Sequence, residues 1–162
     1  METEPGGKGY NQAVACARLG GEVSFLSPVG ADPAGDLCEE VARREGIAHP
    51  RFLRKENVPT ARAVVMSEET GENTVTVYPG ASLHLTASDV WAAEELFQDC
   101  EILLLQLEMP LQTLEAALFL AEKKNIRVIL NPAPAQPVEK KWLKKACLLT
   151  PNETEAKMLL GF

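Results

Sequence analysis

Apolar positions along this chain fall alternately into helical and strand spacing. Between Asn11 and Leu19 the residues Ala13, Val14, Ala17 and Leu19 predict a short helix, opened by Gly6-Gly7-Lys8-Gly9 and closed by Gly20-Gly21. Val23 to Val29 predicts a strand, and Pro33 to Glu45 a helix stopped by Gly46. The alternation then breaks, with no regular element predicted before Ala61. Two β-branched runs, Ala63 to Met66 and Thr74 to Tyr78, flank Ser67 to Glu72 with its turn-forming Gly71, and together predict a hairpin. In the second run Val75 and Val77 face one way and Thr74, Thr76 and Tyr78 the other, so the ribbon meets two different environments.

Alternation resumes with a helix from about Ser88 to Phe97. The run Ile102 to Leu107 is apolar on both alternate faces, as suits a central parallel strand covered on both sides, and it ends at Glu108. Pro110 opens a helix with Leu111, Leu114, Leu118 and Ala121 in one stripe, and Ile126 to Leu130 follows as a strand ending in Asn131-Pro132-Ala133-Pro134. A shorter helix and the strand Cys147 to Leu149 repeat the unit, and Asn152 to Leu160 forms a last helix stopped by Gly161. No repeat or linker divides the chain. It reads as one α/β body over 1–162 with a hairpin inserted at about 61–78.

Composition narrows the function classes. The 162 residues, 46% hydrophobic and 24% charged, describe a folded domain. A net charge of -7 offers no footprint for nucleic acid or an anionic membrane. The basic run Lys140 to Lys145 has helical spacing and reads as a solvated face. Cys16, Cys38, Cys100 and Cys147 lie far apart in apolar surroundings, as buried free thiols of a reducing compartment. His49 and His84 fall in turn-like segments without ligand-like neighbours and are expected at the surface, holding no metal. No apolar run is long enough to span a bilayer, and the acidic start Met1 to Glu4 is unlike a signal peptide, so a cytoplasmic location is expected.

In open α/β sheets, ligands gather beyond the carboxyl ends of the strands, where Glu108, Asn131 and the Asn152/Glu155 pair all fall. Gly6-Gly7-Lys8-Gly9 exposes backbone N–H groups at a helix start, where hydroxyls or anions approach. It is no Walker A loop, because Gly9 stands where Ser or Thr would hold magnesium. For this loop a plain tight turn is the competing reading. For Asn152-Glu153-Thr154-Glu155 it is a capping box.

The ordered set Gly6 to Val14, Gly71-Glu72-Asn73, Gly80-Ala81, Gln106-Leu107-Glu108, Asn131 to Ala135 and Thr150 to Ala156 resembles the succession of motifs in ribokinase-type carbohydrate kinases. The resemblance implies a three-layer α/β/α fold with a mainly parallel sheet and a small hairpin lid. It also implies ATP-dependent phosphorylation of D-ribose at the 5-hydroxyl. Gly7, Lys8, Gly9 and Asn11 then look like the sugar-binding loop, and Glu108 like the carboxylate that also binds the sugar. Asn152 looks like the ATP-contacting asparagine, and Glu155 like the acid that acts on Mg2+ through water. The lid implies a homodimer.

The chain also departs from the family pattern. Tyr10 replaces a small residue of the sugar loop, and Gly80-Ala81-Ser82 replaces Gly-Ala-Asn, which leaves deoxyribose or fructose as other sugars. The family's first strand with its aspartate, and the Gly-Ala-Gly-Asp stretch carrying the catalytic base beside a monovalent-cation (K+) site, have no match within 1–162. The expectation is therefore an incomplete fold, truncated at both ends and inactive alone. A non-catalytic sugar-binding or dimerisation module is the alternative.

Overall fold

The computed structural model describes residues 3–67 and 73–161. Helix α1 (Lys8–Arg18) is followed by β1 (Ser24–Gly30), α2 (Pro33–Arg44) and β2 (His49–Lys55). The strands β1 and β2 are parallel, Ser24 opposite His49 and Gly30 opposite Lys55, with α2 as the crossover that parallel pairing requires. Tyr10, Ala13, Val41, Ala42 and Ile47 are buried between these elements. Phe25 packs edge-on against both Tyr10 and Phe52, at centroid distances of 5.8 and 5.7 Å.

The second half holds α3 (Ala87–Trp91), β5 (Ile102–Leu105), α4 (Leu111–Lys123), β6 (Arg127–Leu130), α5 (Lys140–Leu143), β7 (Leu148–Leu149) and α6 (Glu153–Leu160). Its parallel sheet has the order β5-β6-β7, with Leu105 opposite Leu130 and Leu130 opposite Leu149. Leu114, Leu118 and Leu120 of α4 pack with Leu130 and Trp142 into the larger core. The mainly parallel α/β reading is borne out. Two ion pairs, Arg51 with Glu95 and Lys55 with Asp89, tie β2 to the second half.

Between the halves, β3 (Arg62–Ser67) and β4 (Asn73–Tyr78) pair antiparallel with Val65 opposite Val75. The expected turn with Gly71 and Glu72 lies outside the described residues. Neither face of the ribbon is covered: Val65 and Val77 on one side are 59% and 62% exposed, and Tyr78 on the other is 56% exposed.

Several local expectations change. β2 was absent from the sequence reading, and His49 opens that strand instead of sitting in a turn, although it is exposed. The helix expected over 88–97 stops at Trp91 and gives way to a 3-10 turn, Glu94–Phe97. The cysteines are free but not fully buried: Cys16, Cys38 and Cys100 are half-buried and Cys147 is exposed. Lys141 and Lys145 of the basic run pair with Glu115 and Glu122 respectively, while Trp142 between them is buried.

The ribbon stands on a compact polar knot. Asp32 caps α2 by accepting from the Gly35 N–H at 2.9 Å, and also accepts from the Thr60 hydroxyl at 2.6 Å and the Thr60 N–H at 3.0 Å. The same Thr60 hydroxyl oxygen accepts from the Gly30 N–H at 2.9 Å. Burial pushes the Asp32 carboxyl up, but the bonds from Thr60 and Gly35 and the nearby Arg62 charge outweigh it and hold it down at about 2. A carboxyl held lower in the folded state adds stability that is complete above about pH 4 and is lost as pH falls toward 2. The contribution is roughly 1–2 kcal/mol after allowance for partial solvent screening. Urea midpoints should therefore be higher for wild type than for Asp32→Asn at pH 6, and the gap should narrow as pH falls toward the folded-state value of about 2. A gap independent of pH contradicts this assignment.

Candidate functional site

The amino end of α1 and the segment after β5 meet at Glu108. Its Oε2 accepts from the Lys8 backbone N–H at 2.8 Å, and its Oε1 from the Lys8 ammonium at 3.0 Å. The acid therefore supplies from 100 residues away the N-terminal partner that α1 lacks locally, since Gly7 at the cap has no side chain to offer. This explains why α1 starts at Lys8, inside the glycine loop, rather than at Asn11. Both side chains are well exposed, at 40% and 38%, so the pair adds no more than about 1 kcal/mol to stability and stays open to solvent.

Gly7 has φ +97°, a conformation that strains any residue with a Cβ. That backbone bend aims the Lys8 N–H at the carboxylate. At Gly9 an added Cβ would come within 2.9 Å of Gln106 Oε1. Gln106 is buried and donates through Nε2 to Gln12 Oε1 at 2.5 Å, a second link between α1 and the end of β5. Both glutamines fall within the motifs named from sequence, but neither was given a role there, though a lone amide in the apolar run 102–107 was a usable signal. The strand itself ends at Leu105, because Gln106 turns to Gln12 while the Leu107 N–H donates to Ala133 O at 2.8 Å.

Tyr10, the departure in the sugar loop, points away from Glu108. Its ring is buried against Phe25 and its hydroxyl donates to Cys38 O at 3.1 Å. Burial, with the nearby Cys38 and Glu45 groups, pushes the phenol up to about 12. The bulky side chain thus packs α1 onto β1 and α2. Asn11 lies elsewhere again, in an open groove of about 710 Å³ along α1 and α2 that also includes Glu4, Arg18 and Arg44. No hydrogen bond joins Asn11 to Glu108 among the described residues.

Asn152 and Glu155 stand at the start of α6, just beyond β7, and form a reciprocal capping box. Asn152 Oδ1 accepts from the Glu155 N–H at 2.8 Å, while the Asn152 N–H and Nδ2 donate to the Glu155 carboxylate at 2.9 and 3.0 Å. Glu155 is buried, and its oxygens keep acceptor capacity for one further donor each. The capping reading is therefore realised, and the mutual bonds fix both side chains at the start of α6. Strands lie about 4.8 Å apart, so the ends of β5 and β7 are separated by about 10 Å on one edge of the sheet. The described residues contain no cluster of three or more acids, histidines and cysteines suited to caging a metal. No helix among them is long and apolar enough to cross a membrane.

Residues 1–162 match the family described as pfkB family carbohydrate kinase. The chain is 39% identical over 156 residues to a ribokinase of Haemophilus influenzae, an alignment covering 96% of the chain and 51% of that protein. It is 33% identical over 157 residues to a deoxyribokinase of Salmonella typhi, covering 96% and 51% respectively. Among solved structures it resembles Arabidopsis thaliana ribokinase complexed with ribose and ATP, with TM-score 0.86, 30% identity, and coverage of 99% of the chain and 53% of that structure. The chain thus spans about half the length of the relatives it matches.

Proposed function

The chain belongs to the pfkB family of carbohydrate kinases, and on that premise we propose that it supplies the sugar-binding edge of an enzyme that phosphorylates D-ribose at the 5-hydroxyl with ATP. The observation that carries the reading is the closure of the glycine loop on Glu108 by two hydrogen bonds from Lys8. A carboxylate beside an ammonium and free N–H groups offers a polyhydroxyl ligand acceptors and donors together. Gly7, Lys8 and Gly9 with Glu108 form the sugar contact. Asn11 joins it only if the ligand reaches along α1 toward the groove.

Across the edge, Asn152 is assigned to the nucleotide and Glu155 to Mg2+ through water. The acceptor capacity left on the Glu155 carboxylate suits a water-bridged ion better than a direct one. A bound Mg2+ would neutralise charge on the transferred phosphoryl group. In the transfer, the sugar oxygen forms a bond to the γ-phosphorus as the bridging bond to ADP breaks, and the hydroxyl proton passes to a base. Residues 1–162 hold no match to the family's base, so the 162-residue chain is expected to bind sugar with no more than trace turnover. A coupled ADP-release assay tests the reading: ribose-dependent turnover comparable to that of full-length kinases overturns the placement of the base. Ribose titrations decide the remainder, since a folded chain that binds no pentose removes the kinase reading.

The 33% identity to a deoxyribokinase favours a second pentose. Parallel titrations with ribose and 2-deoxyribose separate the two, and equal affinities assign no role to the 2-hydroxyl. The uncovered ribbon supports a homodimer through β3 and β4, because the paired Val65 and Val75 and the pair Ala63 and Val77 make one continuous apolar face. Light scattering should give twice the chain mass for wild type and a single chain mass for the double substitution Val75→Asp with Val77→Asp. A wild-type monomer at high micromolar concentration contradicts the dimer.

A further inference from the structure

Strand β6 runs between the strand that leads to Glu108 and the one that leads to Asn152, yet its own end carries no role in the reading above. The residue there is Asn131. Leu130 before it is fully buried and lies in register with Leu105 and Leu149, and the Asn131 N–H donates to Leu105 O at 2.8 Å. Pro132 after it is fully buried, and Ala133 O accepts from the Leu107 N–H at 2.8 Å. The Asn131 backbone is thereby pinned from both sides at the middle of the edge.

Its side chain is not. Asn131 Oδ1 is the one buried side-chain polar atom without a hydrogen-bond partner among the described residues. A buried amide oxygen left unpaired costs about 1–3 kcal/mol, a penalty that a leucine of similar size would avoid. An acceptor kept at that expense between two ligand-facing strand ends suits a donor that arrives with a ligand. The terminal torsion of asparagine is broad, so the oxygen can turn toward an arriving donor at little cost. Phosphoryl oxygens are themselves acceptors, which excludes them as partners for Oδ1.

We propose that Asn131 is a further ligand-binding residue at this edge, its Oδ1 accepting from an O–H group brought by the substrates. That group is a sugar hydroxyl or a water carried by the nucleotide's cation. The inference rests on the kinase reading and adds to it a contact midway between sugar and nucleotide.

The test uses the whole chain with Asn131→Leu, which removes the acceptor at nearly constant volume, and Asn131→Asp, which restores it. Thermal unfolding and separate calorimetric titrations with D-ribose and with ATP plus Mg2+ are compared with wild type. For Asn131→Leu the expected result is an unchanged or raised Tm with at least about fivefold weaker binding of one ligand, as loss of one hydrogen bond implies. Asn131→Asp recovers most of that affinity. Loss in the ribose arm identifies a sugar hydroxyl, and loss in the nucleotide arm identifies the cation's water. If Asn131→Leu binds both ligands within twofold of wild type, the assignment is wrong while the kinase reading stands. If wild type binds neither, both fall together. Should the leucine variant fail to fold, Asn131→Ala takes its place with the same criteria.

Discussion

Replacing Glu108 by Gln is expected to weaken ribose binding by about ten- to a hundredfold while the fold survives. The affinity loss follows from charge: hydrogen bonds from hydroxyls to a carboxylate contribute about 1.5–3 kcal/mol, most of which goes when a neutral amide takes its place. The stability loss is small by comparison. Glu108 is 38% exposed and its ion pair with Lys8 is open to solvent, so removing the charge lowers stability by no more than about 1 kcal/mol. The Lys8 N–H can still donate to the glutamine oxygen, which keeps the start of α1 in place. Calorimetric titration with ribose and circular dichroism of the same samples separate the two effects. A variant that binds ribose as wild type does removes Glu108 from the site.

The largest expected effect on stability lies away from that site, at Gly30. An added Cβ there would meet the Thr60 nitrogen and the Val58 oxygen, both at 2.5 Å, and the Pro59 carbonyl carbon at 2.8 Å. All three are backbone atoms that no side-chain rotation can move. Gly30→Ala must therefore push the segment 58–60 away from the end of β1 and break the bond from the Gly30 N–H to the Thr60 hydroxyl. Overpacking typically costs about 1–3 kcal/mol, and losing the buried bond adds about 1 kcal/mol or more. The same shift disturbs Asp32, which grips Thr60 through both side chain and backbone. Urea unfolding should give a loss of about 3 kcal/mol or more. Gly46→Ala serves as a comparison, because that glycine has nothing within 4 Å of its Cβ position and only its positive φ to penalise the change, by about 1 kcal/mol. Equal losses at the two positions contradict the packing explanation.

These two residues illustrate what the sequence could and could not disclose. The place of Glu108 beyond the end of β5 was legible because an acid directly after an apolar run falls at a strand end. Gly30 was not, because its neighbours Val58 to Thr60 are nearly 30 positions away and composition carries no sign of that contact. β2 escaped for a different reason. His49 to Lys55 contains a proline and four basic side chains, the opposite of a β-forming composition, and becomes a strand through pairing with β1 and packing of Phe52 on Phe25. The helix expected over 88–97 had sound apolar spacing, but its last turns tightened into a 3-10 turn after Ala92.

At the site, a capping box and a ligand pair use the same residue types at the same spacing. Sequence left Asn152 and Glu155 open between them, and their mutual hydrogen bonds are compatible with both roles. Tyr10 looked like a change in ligand preference because it sits within the glycine loop. Its ring turns into the core at the third position of the first helical turn, an orientation set by the helix starting at Lys8 and hence by Glu108. The long-range partner of a helix start is the kind of information a one-dimensional pattern lacks.

Amide-resolved NMR during a ribose titration interrogates most directly whether the glycine loop and the end of β5 form a single sugar site. The signals of Gly7, Lys8 and Gly9 and those of Gln106 to Glu108 should shift together, along one saturation curve with one apparent Kd. Shifts confined to one of the two segments, or two curves with different midpoints, would contradict the shared site.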